Sequence, residues 1–157
     1  AKTDIQGVSF MDDWGSQTAL LISPEQWRAI FKPLYRDYAA ILRKAGKYVF
    51  FHSDGHIRAI MPDLVEIGVS AVNSQLYCMD IEEIGRTFAG RITFWGELDR
   101  QHIQPFGKPA DVRAGVRRIR RALDHGRGGV FAHTEWGKMD SYENMDAMFD
   151  EWQKPLI

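Results

Sequence analysis

Cysteine is nearly absent from the 157-residue chain, with Cys78 alone, which excludes an intrachain disulfide and any Cys-x-x-Cys redox or zinc motif. Long hydrophobic runs are missing too: no uninterrupted apolar stretch approaches a membrane span. Residues Ala1 to Gln6 lack the basic region and apolar run of a secretion signal. Neither sign of charge dominates, since 20 Lys and Arg stand against 21 Asp and Glu, and a net charge of -1 gives no reason to expect nucleic acid or an anionic membrane as partner. The expectation is a single α/β domain over residues 1–157 in a reducing, cytoplasmic setting, acting on a small molecule.

What the sequence does contain is one local pattern repeated five times. The apolar run Gly7 to Phe10 leads into Met11-Asp12-Asp13-Trp14-Gly15, a strand ending in carboxylates and a glycine turn. Ser23-Pro24-Glu25-Gln26 then combines an N-cap serine, a proline at the first helical position and a capping-box glutamine. Trp27, Ile30, Phe31, Leu34, Tyr38, Ile41 and Leu42 recur at helical spacing as the predicted buried stripe, and Gly46 supplies the stop. Pro33 removes one bond of that helix and should kink it.

Tyr48 to Phe51 reads as a second strand, followed by the polar turn His52-Ser53-Asp54-Gly55-His56 and a helix from about Ile57 to Ile67 that Gly68 ends. Val69 to Val72 is a third strand leading to Asn73-Ser74-Gln75, with Asp80 capping the next helix to about Phe88. Ile92 to Trp95 is the fourth, ending in Gly96-Glu97-Leu98-Asp99 before a helix buried through Val112, Val116, Ile119 and Leu123. Gly129 to Ala132 is the fifth, before His133-Thr134-Glu135-Trp136-Gly137 and a Ser141-capped helix with Met145, Met148, Phe149 and Trp152 inward.

Without hairpin signals the sheet is expected to be parallel with right-handed crossovers. Five units in this length suit a flavodoxin-like open sheet, whereas a closed (β/α)8 barrel typically takes about 250 residues, so length alone favours the open sheet. In either architecture the carboxyl ends of the strands converge on one crevice. Asp12, Asp13, His52, Asp54, Asn73, Gln75, Glu97, Asp99, His133 and Glu135 all fall at such ends. Any one of them alone is more commonly a helix cap or turn residue, but caps do not require histidines and glutamates at successive ends.

The ordered strings Met11-Asp12-Asp13-Trp14-Gly15-Ser16-Gln17, Leu21-Ile22-Ser23-Pro24, Phe50-Phe51-His52-Ser53-Asp54-Gly55 and Phe94-Trp95-Gly96-Glu97-Leu98-Asp99 resemble the C-terminal part of uroporphyrinogen decarboxylase superfamily proteins. The resemblance implies a TIM (β/α)8 barrel of which these are the last five units, about three preceding units lying outside the sequence. It also implies an enzyme, either a methyltransferase acting on a corrinoid or thiol carrier or, alternatively, a uroporphyrinogen decarboxylase. A non-catalytic half-barrel that pairs through its exposed edges with a second copy or with its N-terminal part is the reading from another class.

In the methyltransferase branch, the family pattern is a zinc-binding His-x-Cys with a further cysteine near the last strand. Here the first motif is His52-Ser53-Asp54 and the later cysteine position falls near Glu135, so the resemblance implies a zinc or harder divalent site of His52, Asp54 and Glu135. In the decarboxylase branch no metal is used, and Asp54-Gly55-His56 is similar to a stretch of those enzymes. Candidate catalytic groups are His52, Asp54, Asp12 and Asp13; candidate substrate contacts are Trp14, His56, Asn73, Gln75, Glu97 and Asp99.

The run Arg113, Arg117, Arg118, Arg120 and Arg121 reads as a solvated helix face, and Gly126-Arg127-Gly128-Gly129 as a helix stop, because it precedes a strand instead of opening a helix. Large aromatics such as Trp14, Trp95 and Trp136 are usually packing, although their strand-end positions allow pocket walls. His102 and His125 are expected in surface or turn roles, and Cys78 as an inert thiol.

Overall fold

Branched and aromatic residues open each repeat, and in the computed structural model, which describes residues 2–124 and 128–155, these runs pair into one parallel sheet. The strands are β1 (Gly7–Met11), β2 (Tyr48–Ser53), β3 (Ala71–Ser74), β4 (Thr93–Glu97) and β5 (Val130–His133), in spatial order β1-β2-β3-β4-β5. The helices are α1 (Pro24–Lys44), α2 (Met61–Ile67), α3 (Ile81–Phe88), α4 (Ile103–Phe106), α5 (Pro109–Leu123) and α6 (Tyr142–Trp152), with a 3-10 turn at Leu76–Cys78. His125, Gly126 and Arg127, and with them the expected helix-stop turn and His125 role, lie outside the described residues.

The sequential strand order corrects the flavodoxin-like alternative, whose sheet runs 2-1-3-4-5 around a switch point. A sheet that grows in one direction through right-handed crossovers receives all its helices on one face. Burial agrees: Val49, Phe51 and Ser53 of β2, Val72 and Ser74 of β3 and Phe94 of β4 are at most 1% exposed beneath the helices. The other face carries Ser9, Met11, Tyr48, Phe50, His52, Ala71, Asn73, Thr93, Trp95, Glu97, Phe131 and His133, all brought into line by the pairing register. Among the described residues β1 and β5 do not pair with each other, so the sheet is open.

Every strand runs beyond its predicted end, by two residues in β2, β3 and β4 and by one in β1 and β5. The ladder continues into the polar residues because backbone pairing does not depend on an apolar side chain. His52, Asn73, Glu97 and His133 are therefore strand residues and not turn residues. The helix expected from Ile57 starts only at Met61, and the 3-10 turn and α4 fall where none was expected.

Helix α1 begins as expected, with Ser23 Oγ accepting from Gln26 N at 3.2 Å, and runs unbroken through Pro33. Its buried stripe is different. Trp27, Tyr35, Ala39 and Leu42 face the sheet and α2, while Ile30, Leu34, Tyr38 and Ile41 stay exposed, because the apolar residues cover more of the circumference than the sheet can bury. In α6, Phe149 is likewise exposed, whereas Met145 and Met148 are buried. The arginine face of α5 is largely ion-paired: Arg113 with Asp150 at 3.0 Å, Arg117 with Glu151 at 2.8 Å and Arg118 with Glu82 at 2.7 Å.

Candidate active site at the carboxyl ends of the strands

Side-chain alternation divides the polar strand ends into two sets. Ser53 and Ser74 point into the helix layer, and Ser53 Oγ accepts from Trp14 N at 2.9 Å, fixing the loop after β1. His52, Asn73, Glu97 and His133 share the bare face at neighbouring positions of β2 to β5. The same register sets Trp95 at steep angles of 60–68° against Phe50, Phe131 and His133, with ring centroids 5.8–5.9 Å apart, so a band of aromatic rings adjoins the polar ends.

Three of these polar groups, His52, Asn73 and Glu97, are linked. His52 Nδ1 lies 2.6 Å from Asn73 Oδ1, and Asn73 Nδ2 donates to Glu97 Oε2 at 3.4 Å. Arg100 Nε sits 3.0 Å from Glu97 Oε1, and the same guanidinium reaches Asp54 at 2.5 Å and Glu135 at 2.7 Å. Burial works against the Arg100 charge, but Glu97, Asp54 and Glu135 outweigh it and hold its pKa above the usual value. Burial pushes the Glu97 carboxyl up to about 7; Arg100 opposes the shift, and Asp54 and Glu135 add to it. The His133 imidazole is shifted down by burial, which the nearby Glu135 only partly offsets.

On the β1 and β2 side two loops touch backbone to backbone. A Cβ at Gly15 would stand 2.6 Å from Asp54 O, and Gly55, at φ 77°, has Gly15 against it, so both positions demand glycine. This approach lets Asp54 N donate to Asp13 Oδ1 at 2.9 Å. Asp13 Oδ1 then lies 3.4 Å and Asp54 Oδ1 3.9 Å from His52 Nε2.

Ligand atoms of Asp13, His52 and Asp54 thus lie within 4.8 Å of one another, and Asp54 Oδ1 is buried without a hydrogen-bond partner. Two carboxylates and an imidazole suit a borderline or hard divalent cation. A thiolate zinc site does not fit, because Cys78 is absent from the group and its thiol is shifted upward by burial, then by Asp99 and Glu97. Glu135, expected beside His52 and Asp54 as a ligand, instead pairs with Arg100.

The remaining candidates divide between cleft and scaffold. Gln75, Glu97 and Asp99 line a cavity of about 310 Å³ together with Gln17, Cys78 and Arg100. Gln75 Oε1 accepts from Gln17 Nε2 at 2.9 Å and from Gly55 N at 2.8 Å. Asp99 Oδ1 accepts from the N–H groups of Gln101 and His102, both at 2.9 Å, a turn-capping role. Asp12 accepts from the Tyr35 hydroxyl at 2.7 Å, and Trp14 packs among Trp27, Phe31 and Tyr35. His56 lines a separate groove beside Leu20 to Ser23. Arg100 and Gln17 are the site residues that sequence reading missed; Arg100 follows Glu97 by three residues, a spacing that brings the two together on a turn.

A parallel βα sheet with polar groups converging at the carboxyl ends of its strands is the layout of a (β/α) enzyme scaffold. The sequence matches the family model described as uroporphyrinogen decarboxylase (URO-D) over residues 2–154, and the chain belongs to that family of enzymes. Among solved structures it is similar to a methyltransferase from Methanosarcina mazei, with a TM-score of 0.70 at 16% identity, covering 94% of this chain and 42% of that one. The chain therefore spans less than half the length of that protein, and the likeness is one of fold. No curated protein matches in sequence. No helix among the described residues is long and apolar enough to cross a membrane.

Proposed function

We propose that the protein is a carboxy-lyase of the uroporphyrinogen decarboxylase type, acting on a tetrapyrrole with carboxylate side chains, and that Glu97 is its proton donor. The observation that carries this reading is the placement of the Glu97 carboxyl, 2% exposed on the wall of the cavity and 3.0 Å from Arg100, where burial pushes it up to about 7. When an acetate side chain on a pyrrole loses its carboxylate as CO2, the ring must first accept a proton to draw in the electron pair. The exocyclic carbon is then protonated and the ring proton is lost, so each CO2 released consumes one proton net. A carboxyl that is part protonated near neutrality suits that exchange, and the Phe50, Trp95 and Phe131 rings, with Trp95 inclined to the other two by 60–63°, offer an apolar wall beside it.

The test is anaerobic incubation of the full-length protein with a uroporphyrinogen and separation of the products. Stepwise loss of carboxylates is expected, reduced at least about 100-fold in Glu97→Gln. No turnover of any uroporphyrinogen would overturn the reading.

A second reading, methyl transfer to or from a corrinoid or thiol carrier, is favoured by the Asp13, His52 and Asp54 group. A divalent cation held there would supply Lewis acidity toward the acceptor. Its mark is methyl transfer that chelators abolish and added divalent metal restores.

We also propose that residues 1–157 form a single α/β domain belonging to a larger (β/α)8 barrel. The unpaired edges of β1 and β5 and the exposed apolar side of α1 support it, since further βα units would cover both.

A further inference from the structure

The Asn73 side chain was expected to touch substrate, yet it is only 8% exposed and both ends of its carboxamide are occupied by protein. The register places it beside His52 on one strand, and its amide reaches Glu97 beyond the other. A carboxamide has one accepting end and one donating end, and this one turns its oxygen to His52 and its nitrogen to Glu97. At 2.6 Å from that oxygen, His52 Nδ1 must carry a hydrogen, because two lone pairs at this distance would repel. A neutral imidazole has a single N–H, so Nε2 is left bare.

Without Asn73 the surroundings favour the opposite tautomer. Nε2 faces Asp13 Oδ1 at 3.4 Å and Asp54 Oδ1 at 3.9 Å, two acceptors that would each stabilise an Nε2–H. We infer that Asn73 is a positioning residue that holds neutral His52 as its Nδ1–H tautomer and so turns the Nε2 lone pair toward the space between Asp13 and Asp54. His52 is then able to take a proton from a bound molecule or to donate to a cation between Asp13 and Asp54; the opposite tautomer can do neither. The inference rests on the grouping of His52 with Asp13 and Asp54 and not on which reaction the site performs.

The tautomer is read directly by long-range 1H–15N correlation on full-length protein labelled with 15N-histidine, at a pH high enough to leave imidazoles neutral, with His52→Gln identifying the resonance. The Nδ1–H pattern is expected in the wild type. Asn73→Leu, similar in size but unable to accept, should switch the pattern to Nε2–H, while Asn73→Asp, which still accepts, should keep Nδ1–H. Turnover by the full-length enzyme should fall about 10–100-fold in Asn73→Leu, as for other residues that orient an imidazole ligand or base. An Nε2–H pattern in the wild type, or an Nδ1–H pattern that survives Asn73→Leu, overturns the inference. Should Asn73→Leu not fold, a loss of the Nδ1–H pattern in Asn73→Asp overturns it equally. The spectrum needs no substrate, so absence of decarboxylation would sink the proposed function while leaving this result intact.

Discussion

The two faces of the sheet are built from alternate residues of the same five strands, yet they do different work. On the helix-covered face Phe51 and Phe94 are at most 1% exposed, whereas across the pleat Tyr48 is 60% and Phe131 46% exposed. The covered face holds the fold together by apolar burial. The bare face contributes less to that burial and is free to carry an imidazole, an amide and a carboxylate in one connected row, His52 to Asn73 to Glu97. Stability and chemistry are separated here by side-chain parity and not by segment of sequence.

Truncation should make this contrast largest. In a protein of residues 1–157 alone, Phe51→Ala or Phe94→Ala should cost about 3–5 kcal/mol in denaturant unfolding, and Tyr48→Ala on the bare face under about 1 kcal/mol. Equal losses on the two faces would end the distinction.

Glu97 tests the bare face from the side of charge. Its folded pKa of about 7 lies above the ordinary carboxylate value, so the folded state binds its proton more tightly than the unfolded chain does. Stability from this group is therefore fully present below about pH 4.5 and falls as the pH rises to about 7. Glu97→Gln should leave stability at pH 4 unchanged and raise it at pH 8 by up to about 3 kcal/mol. A mutant no more stable at pH 8 than the wild type would mean that the Arg100 contact outweighs burial.

The outer side of α1 tests the proposed barrel. If further βα units cover it, Ile41→Glu in the full-length protein should cost about 2 kcal/mol by burying an unpaired charge. A loss below about 0.5 kcal/mol would show that side to be solvent-facing in the whole protein. The smallest effect is expected where neither face is involved: Arg118→Ala, which removes an exposed ion pair with Glu82, should change stability by under about 1 kcal/mol.

Much of this layout was legible in the sequence. Ser23, Asp80 and Ser141 cap helices as their spacing predicts, and all five strands exist. The strand ends were read one or two residues short because apolar runs were used to mark them, while the ladder continues through His52, Asn73 and Glu97. That shortfall hid the alternation that sends Ser53 into the helix layer and His52 to the opposite face. Arg100 was missed because an arginine beyond a strand end looks like a solvent group until three carboxylates from different units are seen around it.

The sequence by itself determined the number and order of the βα units, the helix caps at Ser23, Asp80 and Ser141, and the polar character of each strand end, because these depend on neighbours a few residues apart. Only the tertiary structure decided which of those polar groups meet. Asp13 joins His52 and Asp54 because Gly15 and Gly55 let two loops approach, and Glu135 goes to Arg100. Such encounters depend on strand register and on backbone contact between units some 40 residues apart, and no local pattern encodes them.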